Sequence, residues 1–63
     1  MLKIKIETDN EAFQKGNKEI ELVRCLKDVI EWIEIGREEN PIYDLNGNKV
    51  GYFKLQNDYI RKL

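Results

Sequence analysis

The sequence predicts an α+β domain of order β-α-β-β, with one helix packed on a three-stranded sheet. Three observations lead there. The first eight residues alternate apolar and charged. Residues 18–35 repeat apolar side chains at spacings of three and four. Asn46-Gly47 lies between two strand-like runs. At 63 residues the chain is one domain, 1–63, with one small core. Its expected parts are a strand over 1–8, a helix over 17–36, a hairpin over 41–56 and a tail over 57–63.

The strand comes first. Leu2, Ile4 and Ile6 fall on one face, with Lys3, Lys5 and Glu7 on the other, as in a half-buried strand with one wet side. Thr8, Asp9 and Asn10 break the alternation and favour a turn. In the connector that follows, Phe13 is the only large apolar residue, and it is expected to pin the loop to the helix or sheet.

In the helix, Leu22, Val23, Leu26, Val29, Ile30 and Ile33 form a stripe roughly 120° wide, suited to packing on a sheet. Asn17 is the expected N-cap, its side-chain oxygen taking a free N–H of the first turn. Glu19 and Glu21 favour the positive end of the helix dipole. Arg24 with Asp28, and Lys27 with Glu31, are i,i+4 neighbours on the wet side. Gly36 supplies the left-handed residue that ends the helix. Apolar residues also lie outside the stripe: Cys25 and Trp32 on one flank, Ile20 on the other, and Ile35 pointing away from the core. They have two readings. Trp32 sits half-buried under a loop and Ile35 tucks beneath the returning chain, or Cys25, Trp32 and Ile35 make a partner-binding surface centred on Trp32.

After the helix, Pro41 biases Asn40 to an extended conformation. Asn46-Gly47 between 42–45 and 49–55 is a strong hairpin signal. The returning strand carries Val50 and Tyr52 on one parity and Phe53 and Leu55 on the other. Strict alternation cannot bury all four, so either the strand bulges near Gly51 or one pair faces out. In the tail, Tyr59, Ile60 and Leu63 fit a last helical turn or an extended arm.

Composition narrows the function classes. Histidine is absent, which removes the usual residue of metal sites and of neutral-pH acid–base chemistry. Asp44, Asn46 and Asn48 open like a calcium loop, but its sixth and twelfth positions hold Lys49 and Leu55 rather than glycine and glutamate. Glu38 and Glu39 read as a solvated corner. No phosphate-cradling glycine loop or nucleophile elbow is present. The expectation is therefore no enzyme, with no catalytic residue, cofactor or metal. One cysteine gives no internal disulfide framework, which points to the cytoplasm for so small a domain. There is no secretory h-region and no membrane-spanning run. A net charge of −1 with mixed signs speaks against nucleic acid as the partner.

The segments TDNEAF at Thr8–Phe13 and DLNGNKVG at Asp44–Gly51 carry a family resemblance, together with ELVRCLKDVI at Glu21–Ile30. Their order resembles a group of short, uncharacterised proteins of bacteriophages and prophage regions, whose helix segment is close to EVARILRELA. Glu11 departs from that pattern, which often has alanine there. The resemblance implies a phage context in a bacterial host cell and no catalytic residues. It covers nearly all the chain up to Phe53.

Three functions are then expected in order. The first is a non-enzymatic accessory protein that binds a host or phage protein, including host-takeover or anti-defence inhibition. The second is a nucleic-acid-associated module using Lys3, Lys5, Arg37, Lys49 and Lys54, which requires those cations to share a face. The third is a self-associating structural protein, with a homodimer as the simplest form.

Overall fold

A computed structural model describes residues 1–14 and 16–56. The tail expected over 57–63 lies outside them. The elements are β1 (Leu2–Ile6), a single 3₁₀ turn (Glu11–Phe13), α1 (Lys18–Glu34), β2 (Glu39–Tyr43) and β3 (Lys49–Leu55). The fold is the β-α-β-β domain expected, one helix on a three-stranded antiparallel sheet.

The strand order is β1-β3-β2, with β3 antiparallel to both neighbours. β1 and β2 therefore run parallel but do not touch. The helix connects them across the sheet while β3 fills the gap. Both ends of the sheet are edges, and β2 carries Pro41, a residue that edge strands tolerate because no ladder bond needs its missing N–H. At the open end Gln56 N–H donates to the Met1 carbonyl at 2.8 Å, continuing the β1–β3 pairing past both strand ends.

The helix ends as its residues dictate. Gly36 has φ 93°, its N–H donates to Ile33 C=O at 3.0 Å, and Arg37 N–H donates to Trp32 C=O at 2.9 Å. Those two bonds are the paired closure of a Schellman motif. The start differs from expectation. Asn17 is the N-cap, but its side chain makes no capping bond; only its carbonyl is engaged, by Glu21 N–H at 2.9 Å.

The hairpin turn runs through Asp44–Gly47, with Gly47 N–H donating to Asp44 C=O at 3.0 Å and Gly47 at φ 86°. The pairing shifts just beyond it: Ile42 faces Gly51, yet Tyr43 faces Lys49, so Val50 is the extra residue. This bulge resolves the conflict in β3. Below it Phe53 and Leu55 point to the helix side and Tyr52 points away. The bulge turns Val50 inward, and it joins Phe53 in the core.

The core consists of Ala12, Phe13, Cys25, Val29, Ile42, Val50 and Phe53, flanked by Ile6, Leu22, Trp32 and Ile33. Phe13 pins the connector as expected, and Ala12 is buried with it. Trp32 stacks on Phe53, the ring centroids 6.0 Å apart and the ring planes nearly parallel, 8° apart. The helix lies over β2 and the 3₁₀ turn rather than over β1. Leu2 and Ile4 consequently remain uncovered on the helix side of their strand, 47% and 39% exposed.

Candidate functional site

The helix presents only one edge of its apolar stripe to the core. Its buried positions are Glu21, Cys25 and Val29. At 3.6 residues per turn, that line is centred about 90° from the middle of the expected stripe. Of the six stripe residues only Val29 is fully buried; Leu22, Leu26 and Ile33 are half-buried. Val23 and Ile30 face solvent at 49% and 55% exposure, beside Ile20 at 72%.

A polar clamp accounts for the rotation. The Glu21 carboxylate takes two hydrogen bonds from Arg24, at 2.9 Å from Nε and 2.8 Å from Nη2. It also takes the Leu45 N–H at 2.8 Å. Arg24 Nη2 donates to the Tyr43 carbonyl at 2.9 Å, and Nη1 to Asp28 at 3.1 Å. Two backbone groups at the mouth of the hairpin are thereby tied to one side of the helix. Cys25, one residue along, is small enough to let the helix sit close, and its sulfur lies 3.8 Å from the Tyr43 carbonyl. The expected Arg24–Asp28 pair forms, and Glu21 lies in the first turn as expected. Beyond those expectations, Glu21 is buried and Arg24 also joins the helix to the hairpin. Lys27 and Glu31 form no ion pair among the described residues.

A second carboxylate completes the turn. Asp44 Oδ1 accepts from the Asn46 and Asn48 amides at 2.9 and 2.8 Å, and Oδ2 accepts from the Asn10 side chain and, at 3.4 Å, from Asn48 Nδ2. This links the hairpin to the loop after β1. It also explains the alternate Asp44, Asn46 and Asn48 by turn chemistry. Among the described residues no three metal-ligating His, Cys, Asp or Glu side chains cluster.

These contacts shift the titrating groups in opposite senses. The hydrogen bonds from Arg24 outweigh burial and hold Glu21 below the usual glutamate range. Burial would raise Asp44, but the bonds from Asn48, Asn46 and Asn10 prevail and lower it. Burial pushes the Cys25 thiol up, so its reactive thiolate is disfavoured.

Both carboxyls have lower pKa values folded than unfolded, so on acidification the unfolded chain binds protons first. Their contribution is complete above the unfolded values and is lost as pH falls through the folded ones. The urea midpoint is expected to hold steady from neutral pH to about pH 5 and to drop below about pH 4. Glu21→Ala should cost about 2–3 kcal/mol at neutral pH, because the Leu45 N–H and Arg24 lose their acceptor. That figure is reduced for the part of Arg24 that stays in water. Urea unfolding at several pH values reads both effects. A midpoint that rises on acidification, or a Glu21→Ala cost near zero, would refute the clamp.

The three residues expected at a partner surface separate. Cys25 has no exposed surface and fills the core as a small apolar side chain on the helix flank, which corrects its alternative place on an accessible patch; the quarter turn of the helix puts it against the hairpin. Trp32 is half-buried on Phe53. Ile35 is exposed and does not tuck beneath the chain. The apolar surface that the fold brings together is another one. Ile20, Val23 and Ile30, with Lys27 between them, run at spacings of three, four and three along the side of α1 away from the sheet. A shallow apolar hollow there is lined by Glu19, Ile20, Val23, Arg24 and Lys27. Periodicity missed this ridge because two of its members were assigned to the core. Its 3-4-3 spacing is the one signal in the sequence that could have marked it.

Among the described residues no helix is long and apolar enough to cross a membrane. Comparisons with family models, curated proteins and solved structures returned no match.

Proposed function

We propose that this chain is a non-enzymatic accessory protein of a bacteriophage or prophage that works by binding another protein along the outer ridge of α1. The observation that carries this reading is the ridge itself. Ile20, Val23 and Ile30 remain in water although two of the six residues of the expected core stripe, Val23 and Ile30, had to be given up to leave them there. Apolar side chains grouped in this way on a small domain mark contact surfaces. The resemblance of TDNEAF, ELVRCLKDVI and DLNGNKVG to short phage proteins supports the context, and with it the cytoplasm of a bacterial host and a role such as host takeover or anti-defence inhibition.

The spacing specifies the partner's form. Positions 20, 23, 27, 30 and 34 follow the 3-4-3-4 seam of a helix that packs against another helix. The matching element is an amphipathic α-helix with its own apolar seam. Lys27 occupies one seam position, its stem lying along the ridge and its ammonium free to meet an acidic side chain. A second copy packed in parallel would set Lys27 against Lys27 and Glu34 against Glu34. That disfavours a parallel homodimer, and the partner proposed here is a different protein.

Val23→Glu with Ile30→Glu tests this. Both sites are outside the buried face, so urea stability should change by less than about 1 kcal/mol. The wild type should sediment alone as a monomer. Immobilised, it should capture from infected-host lysate a protein that the double variant does not. Capture by both forms alike, or a loss of several kcal/mol, would refute the ridge as the surface. A concentration-dependent dimer abolished by the double variant would replace the foreign partner with a second copy.

A further inference from the structure

We propose that the open face of the sheet, on the side away from α1, binds single-stranded nucleic acid. The register assembles this face row by row. Lys3 pairs with Lys54, which pairs with Glu39. In the next row Lys5 pairs with Tyr52, which pairs with Pro41. Past the bulge Tyr43 pairs with Lys49. The bulge that turns Val50 inward is what returns Lys49 to this face. All four lysines and both tyrosines are exposed. Lys3, Lys49, Tyr52 and Lys54 line one shallow hollow together with Glu39 and Pro41.

The net charge of −1 concealed this arrangement. The two signs are unevenly spread. Helix α1 carries five acidic and three basic side chains, whereas this face sets four lysines around two tyrosines, with Glu39 beside Lys54 as the carboxylate in its paired rows. Among the described residues none of the four lysines is held in an ion pair. Lys3 directly opposite Lys54 is a like-charge pair, which costs stability in a sheet. Protection of an edge from aggregation accounts for Lys3 and Lys5 on β1. It does not account for Lys54 and Tyr52, which lie on the central strand with a neighbour on each side. A bound polyanion accounts for both.

Geometry selects the type of polyanion. Lys3 and Lys5 are spaced about 6.7 Å apart along β1, with Lys54 one strand, about 4.8 Å, away. A backbone of regularly spaced phosphates can follow such a row. Tyr52 stands between Lys5 and Pro41 as a flat platform, and an aromatic in a basic groove stacks an unpaired base. A duplex hides that base face, and among the described residues no helix or arm stands on the open side of the sheet to enter a groove. An anionic membrane would call for large aliphatic side chains among the cations, and the paired rows of this face hold none. Of the five cations expected in a nucleic-acid module, Arg37 is the exception: it lies in the turn after α1 and bonds Asn40 at 3.0 Å.

Fluorescence anisotropy with a labelled oligothymidylate at low ionic strength provides the test. Four phosphate contacts give a slope of log K against log salt of about −3. Lys3→Gln with Lys54→Gln should weaken binding and bring the slope to about half that value. Tyr52→Ala should weaken it roughly tenfold with little change of slope. Lys18→Gln with Arg37→Gln, at the two ends of the helix, removes the same charge and should leave binding unaltered. Circular dichroism and urea midpoints confirm that each variant is folded. Absence of binding at low salt overturns the proposal. So does equal loss from the helix pair, which would make the attraction one of overall charge. Equal affinity for a duplex or for phosphatidylserine vesicles, with Tyr52→Ala indifferent, also overturns it.

Discussion

Gly51→Ala is expected to cost about 3 kcal/mol or more and to leave the domain largely unfolded at ambient temperature, since a domain of this size has only a few kcal/mol in hand. Gly51 pairs with Ile6 on one side and Ile42 on the other. A Cβ there would overlap the Lys5 carbonyl oxygen and stand 2.7 Å from its carbon and 3.0 Å from Ile6 Cα. Those atoms are backbone of the neighbouring strand, so no rotamer change relieves the clash. β1 would have to leave β3, and with it would go the cover that Ile6 gives the core. Urea titration followed by the fluorescence of Trp32, the only tryptophan, measures the loss. A variant within 1 kcal/mol of wild type would mean that β1 does not pass so close to the bulge.

Phe53→Ala is expected to cost about 3–5 kcal/mol, the usual range for a large aromatic removed from a core. Phe53 has no exposed surface, lies at the centre of β3, and bears the stacked Trp32. Its loss opens a cavity among Ile42, Val50, Cys25 and Val29 that a seven-residue core cannot close by repacking. Trp32 would also lose its platform, so its emission should move toward that of a solvent-exposed indole even in conditions where the variant remains folded. A cost near 1 kcal/mol with unchanged emission would place the centre of the core elsewhere.

Much of the architecture could be read from residues alone, because the signals were local. Leu2, Ile4 and Ile6 announced a strand, Asn46-Gly47 a hairpin and Gly36 a helix end, each through its own backbone or side-chain preference. The clash of parities in 50–55 offered a bulge near Gly51 as one of two solutions. Which side of the helix faces the sheet was not local. Apolar residues cover more than half the circumference of α1, so periodicity allowed two inward faces. The choice rests on Glu21 reaching Leu45, twenty-four residues away, and on Arg24 reaching Tyr43. No pattern within the helix encodes those contacts. The same limit applied to the candidate sites. Cys25 and Trp32 stood outside the stripe in sequence and are inside or against the core in space. The lysines of 3, 5, 49 and 54 are scattered in sequence and become neighbours only through the order β1-β3-β2 and the flip at Val50.

Everything proposed for α1 follows from its quarter turn, and Cys25 reports that turn directly, being the only thiol in the chain. The rate at which Ellman's reagent modifies Cys25 should be measured in the native protein and across a urea series, beside a free thiol at the same pH. With Glu21, Cys25 and Val29 against the sheet, the native thiol should be strongly protected, and its rate should rise only as the whole domain unfolds. A native thiol that reacts as fast as the free one would place Cys25 on the surface. The Leu22–Val23–Leu26–Ile30 stripe would then be the buried face, and the ridge of Ile20, Val23 and Ile30 would not exist.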